Sequence, residues 1–217
     1  MSDWYEDTSD EPTVTEAVQT VAETIVAELP IGIAKAMKPI VCNKDNSPQL
    51  RQILCEAGPD LGRERTARYV GTNGVVLLII DTNLPAPTDA QMFSGEKRTN
   101  PDTGKATDPS DIELVISTKG YSKPEFFRAA DAYWGAFPDY KAVLPKTFEP
   151  VEQVGFDVGY MDMMLKIHKA LGFSDSMRCW TVQFSGDLSP VEMTWQAKNV
   201  SGIVTRVQFI VMPMRID

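Results

Sequence analysis

Few side chains in this sequence suit bond-making chemistry, and none are spaced to do it together. The single histidine, His168, has no nucleophile or acid at a spacing that would make it a general base. Cys42, Cys55 and Cys179 share no CxxC or metal-ligand spacing, so they read as free thiols of a reducing compartment. There is no phosphate-cradling GxxxxGK[ST] loop, no GxSxG elbow and no HExxH helix. Acidic residues are plentiful, but no pair lies in the apolar surroundings that tune a catalytic acid. The expectation is a protein that binds and does not catalyse, with no metal and no cofactor.

Binding chemistry is better represented. Lys35 and Lys38 lie three residues apart in one helical stretch, and Lys166 and Lys169 three apart in another. Each pair therefore shares a helix face. Such a face fits either phosphate contact or plain solvation. At the far end, Val211, Met212, Pro213 and Met214 keep the sequence apolar where polar, fraying residues are usual. Pro213 has no N–H to donate and would end a strand ladder. Methionine adapts to varied apolar partners, which suits Met212 and Met214 to a groove. Met161 and Met164 suit a core.

The elements that must position these residues can be read from periodicity. Thr24 to Leu29 reads as a strand. In "IGIAKAMKPIVC", Ile33, Ala36, Met37 and Ile40 recur at helical spacing, and Pro39 limits the helix. "QLRQILCEA" reads as a strand. "RTARYVGTNGVVLLIIDTN" reads as two strands joined at Thr72-Asn73-Gly74. The run Val75 to Ile80 is apolar throughout, as in a strand buried on both faces. Residues 83–111 hold four prolines and little periodicity, which predicts an irregular loop insertion. "IELVIST" reads as a strand, and "KPEFFRAADAYWGAF" as a short helix with Phe126, Phe127, Ala130 and Tyr133 on one side. After a strand in "VEQVGF", "DVGYMDMMLKIHKALGF" reads as a helix with Asp157 as N-cap and Gly172 as stop. Its apolar stripe would be Met161, Met164, Leu165, His168 and Leu171. Three strands close the sequence.

Helices beside antiparallel strands place the chain in the α+β class. A plan recurs without a repeat of sequence: a strand, a short helix with two lysines on one face, then two or three antiparallel strands. The bulk numbers agree with a globular domain. Hydrophobic residues make up 43% of 217, and no run is long enough for a membrane span. Six of the nine net negative charges fall within the first sixteen residues, which hold no Lys or Arg. Residues 1–20 thus read as an acidic flexible tail, and residues 21–217 as the folded part. No export signal is apparent, so a cytoplasmic location is expected.

Four stretches carry a family resemblance. "FIVMPMRI", "GFDVGYMDMMLKIHKAL", "FPDYKAVLP" and, more faintly, "VGTNGVVLLII" are similar to segments of the bacterial sliding clamp, the beta subunit of DNA polymerase III. They resemble in particular its short relatives from phages and plasmids. Asn73 stands where the family usually has Asp. The resemblance implies a clamp fold: duplicated strand-helix-strands halves over about 21–118 and 137–217, with two short helices on one face of antiparallel sheets. It implies a non-enzymatic processivity factor in a phage or its bacterial host, near the nucleoid, that encircles or tracks duplex DNA as a homo-oligomer. Lys35, Lys38, Lys166 and Lys169 would then contact phosphates without reading bases. Val211, Met212, Pro213 and Met214 would help form a pocket for peptide motifs of polymerases and other replication proteins. The alternative is a clamp-derived module that binds replication proteins or the host clamp without encircling DNA.

Overall fold

The computed structural model describes residues 24–41, 48–59, 65–94, 112–116, 126–129, 136–151, 155, 157–174, 179–186, 189–195 and 201–211. The acidic stretch 1–20, most of the 83–111 insertion, the core of "VEQVGF" and Met212 to Met214 lie outside the described residues.

Helix α1 spans Ile31–Val41 and is followed by strands β1 (Gln52–Ala57), β2 (Thr66–Thr72) and β3 (Val76–Pro85). Strands β4 (Gln91–Ser94), β5 (Ile112–Ile116) and β6 (Phe126–Ala129) come next. Helix α2 spans Val158–Ala170 and precedes β7 (Thr181–Gln183), β8 (Val191–Trp195) and β9 (Val204–Val211). The described strands form one antiparallel sheet in the order β5-β6-β4-β1-β2-β3-β9-β8-β7. The α+β class holds.

The β2–β3 hairpin forms because its turn residues supply their own hydrogen bonds. The Asn73 Oδ1 accepts from the backbone N–H groups of Val75 and Val76 at 3.0 and 2.8 Å. Gly74 takes the positive φ of 89° that the turn requires. An aspartate would accept the same bonds, so Asn73 preserves the turn. β3 is apolar on both faces because both faces are covered. Val76, Leu78 and Ile80 point into a core shared with the two helices, and Leu77 and Ile79 into a smaller core on the opposite face. The smaller core is closed by Phe137, Tyr140 and Leu144.

Three expectations are corrected. Thr24 to Leu29 is not a strand. Its backbone forms no strand ladder: the Ile25 N–H donates to the Thr88 Oγ1 and the Ala27 N–H to the Gln91 Oε1, both of them side-chain acceptors. The proline-rich stretch 83–111 is not wholly irregular: β4 lies inside it, pairs with β1, and buries Phe93 completely. Phe126 to Ala129 is a strand, not a helix, because it pairs between β4 and β5. Such pairing overrides a local preference that was ambiguous for so short an apolar run.

A line of alternating charge crosses the sheet on the side away from the helices. Glu56, Arg68, Asp81 and Arg206 stand opposite one another on β1, β2, β3 and β9. Arg68 grips Asp81 through two bonds of 2.6 and 3.1 Å, and Arg206 reaches Glu192 on β8 at 3.3 Å. The Tyr140 hydroxyl donates to Glu56 from above, and its pKa is pushed up to about 12 by burial and then by that carboxylate. The hydroxyl thus remains a donor across the physiological range.

Because Asp81 is only 5% exposed, removing its partner leaves a buried charge uncompensated. Arg68→Met is expected to cost about 3–5 kcal/mol in urea unfolding. Adding Asp81→Leu to that variant is expected to restore most of the loss.

Candidate functional site

Both helices lie on the same face of the sheet and contribute to one core. α1 buries Ile33, Ala34, Ala36, Met37, Ile40 and Val41, and this leaves its lysines outside that core. Lys35 is exposed and Lys38 half-buried. Gly71 on β2 makes the close seating possible, since a Cβ there would meet the Met37 Sδ and the Val41 Cγ1 at 2.9 Å.

α2 begins as its sequence predicts. The Asp157 carboxylate accepts the Gly159 N–H at 2.7 Å, and Gly172 follows the helix with a φ of 72°. The buried face is turned relative to the predicted stripe. Met164, Ile167, His168 and Leu171 are buried, whereas Met161 and Leu165 are 43% and 37% exposed. Those two line a hollow of ≈ 190 Å³ with Trp180. Ile167, missed by the sequence reading, is fully buried and carries the packing instead. His168 is a core residue. Its Nε2 donates to the Ser174 carbonyl at 3.3 Å, and its ring stands edge-on to Trp195. Among the described residues its Nδ1 has no partner.

Lys166 and Lys169 are both exposed on α2. Lys166 is engaged by Asp162 one turn earlier, at 2.5 Å, in an ion pair open to solvent. Such pairs are weak, so the lysine is available at little cost. Lys38 and Lys169 occupy the last turns of their helices, where a cation also complements the helix dipole. The first turn of α1 meets the last turn of α2 so closely that a Cβ on Gly32 would lie 3.1 Å from the Ala170 carbonyl oxygen. The structure thus places all four lysines on two touching helices, outside the core, over one sheet face.

The apolar end of β9 has a different setting. Val211 is fully buried on the helix side, paired with Val76 and Val191. Its neighbour Ile210 faces the other way. There it joins Gly74, Val75, Leu77, Val143 and Pro190 around a small cleft of ≈ 80 Å³. Val75 and Val143 are about half exposed at its rim, at 48% and 51%. The sequence reading had named Val211 and the three residues after it, but not these. They come from four separate stretches, so no local pattern announces them.

Among the described residues, no cluster of His, Cys, Asp or Glu has the makings of a metal site. No described helix is long and apolar enough to cross a membrane.

No family model matches the chain, and no curated protein matches it. Among solved structures it is similar to the H. pylori beta clamp in complex with 5-chloroisatin, with 12% sequence identity and a TM-score of 0.49. That similarity covers 89% of this chain and 65% of the clamp chain.

A side chain at Gly32 would crowd the Ala170 carbonyl oxygen at this helix contact. Gly32→Val is expected to lower stability by roughly 1–3 kcal/mol by thermal or urea unfolding, since the added group meets backbone. Lys35→Gln, on an open surface, is expected to stay within about 0.5 kcal/mol of the parent.

Proposed function

We propose that this chain is a clamp-like, non-enzymatic DNA-tracking factor that recruits replication proteins. The observation that carries the reading is the division of labour between the two sheet faces. One face bears two adjoining helices with Lys35, Lys38, Lys166 and Lys169 outside the core. The other bears the apolar cleft around Ile210. Lysines on helices offer point charges to phosphates with no base reading, which suits movement along a duplex. The similarity of four sequence stretches to the bacterial sliding clamp points the same way.

The topology favours a duplicated origin. Each helix is followed by three strands consecutive in the sheet, and the last strands of the two sets, β3 and β9, pair with each other. In this reading residues 21–217 form one two-helix clamp domain, and a six-domain ring needs about six copies. Met212, Pro213 and Met214, apolar and adaptable in type, are assigned to the seating of an apolar peptide motif of a polymerase or other replication protein. Duplex DNA is bound without sequence preference, in a phage or its bacterial host.

Two sets of variants test the two faces separately. Replacing Lys35, Lys38, Lys166 and Lys169 by Glu is expected to weaken duplex binding and flatten its salt dependence, measured by fluorescence anisotropy across a salt series. Replacing Val143 by Glu, or Met212 and Met214 by Ala, is expected to abolish binding of a clamp-binding peptide while leaving DNA binding intact. Unchanged salt slopes would return the lysines to a solvated face. An unchanged peptide affinity would remove the cleft from the account.

A further inference from the structure

We infer that the acid-rich segment 1–23 docks on the lysine face of α1 and α2, where it takes the place of phosphates. Only the consequence, competition with DNA, rests on the clamp-like reading; the docking itself does not.

Charge complementarity carries the assignment. Glu23 joins the six acids of residues 1–16, so the segment holds seven of the nine net negative charges and no Lys or Arg. The surface opposite is the reverse. α1 carries Lys35 and Lys38 and no acid, and α2 carries Lys166 and Lys169 against Asp162 alone. Lys35 and Lys169 have no carboxylate partner among the described residues.

Position and reach make the contact intramolecular. Residues 24–30 run directly into α1. Their start is fixed beside Thr88, whose N–H donates to the Ile25 carbonyl at 3.0 Å while its Oγ1 accepts the Ile25 N–H at 2.9 Å. The acidic segment therefore departs from a defined point one short stretch before the lysines. An extended chain covers about 3.3 Å per residue. A few residues of the segment thus span the roughly 16 Å length of an 11-residue helix. Tethering holds the acids near the lysines at an effective concentration of about millimolar. Ionic contacts too weak to persist between separate molecules are populated under that condition. Their range is limited to about 8 Å at physiological salt, so the docked state is salt-sensitive.

The segment thereby sets a threshold for DNA. A duplex must displace it, and a high density of phosphates does so where an isolated anion does not. This would confine binding to a polyelectrolyte and keep the lysine face covered away from DNA.

The test is zero-length carbodiimide crosslinking of the full chain at low salt, read by peptide mass spectrometry on an equal mixture of 14N and 15N chains. Crosslinks from carboxylates of residues 1–23 are expected to concentrate on Lys35, Lys38, Lys166 and Lys169. They should exceed severalfold those to Lys141 and Lys146, which belong to the segment covering the opposite sheet face, and they should fall as salt rises. They should also be of single isotope. An even spread over all lysines overturns the proposal. Mixed-isotope crosslinks to the helices assign the contact to a neighbouring chain and equally overturn it. Duplex DNA added to the same sample separates this inference from the functional reading. Loss of the helix crosslinks supports both, whereas helix crosslinks that persist uphold the docking and count against DNA binding on this face.

Discussion

The antiparallel pairing of β3 with β9 is the contact through which the two halves of the described sheet are joined. β3 ends the strand series that follows α1, and β9 ends the series that follows α2. Six residues from Val76 to Asp81 stand opposite Val211 to Arg206 in unbroken register. A slip of one residue would turn either Leu78 and Ile80 or Val207 and Phe209 away from the helices. The hydrophobic pattern therefore selects the register. Asp81, set between Arg68 and Arg206 in that register, adds a polar constraint, since a slip would separate buried charges from their partners. Through this pairing both helices come to one face, and the lysines with them.

The same pairing defines the second face. Alternation along β9 sends Val211 to the helix-side core and Ile210 to the opposite side, where the β2–β3 turn and the 140–143 turn enclose the cleft. The two candidate interfaces thus share a strand but not a surface. Substitution at one need not disturb the other.

Much of this was legible in the sequence where signals were local. Asp157 and Gly172 marked the ends of α2, Asn73-Gly74 marked the hairpin, and the apolar run from Val75 to Ile80 marked a strand covered on both sides, which begins at Val76 and leaves Val75 exposed in the turn. The lysines were placed outside the core for the same reason, since helical spacing fixes which residues share a face. What failed depended on distant partners. β4 and β6 form because each supplies the other with a ladder, and short apolar runs among prolines and helix formers give no sign of that. The buried stripe of α2 was misplaced by Ile167, because only the direction of the sheet decides which side of an apolar helix is covered. Arg68, Asp81 and Arg206 did leave a trace, as the single charge in each of three strands, and cross-strand pairing was its physical meaning.

A clamp-like role requires that lysine-bearing helices be gathered around a duplex, so assembly on DNA bears on the central claim most directly. The measurement is particle mass by light scattering, with retention on covalently closed circular duplex compared before and after linearisation. The account predicts a closed oligomer of several chains that stays on the circle and is lost from the linear form. A monomer at every concentration, leaving circular and linear DNA alike, would contradict it.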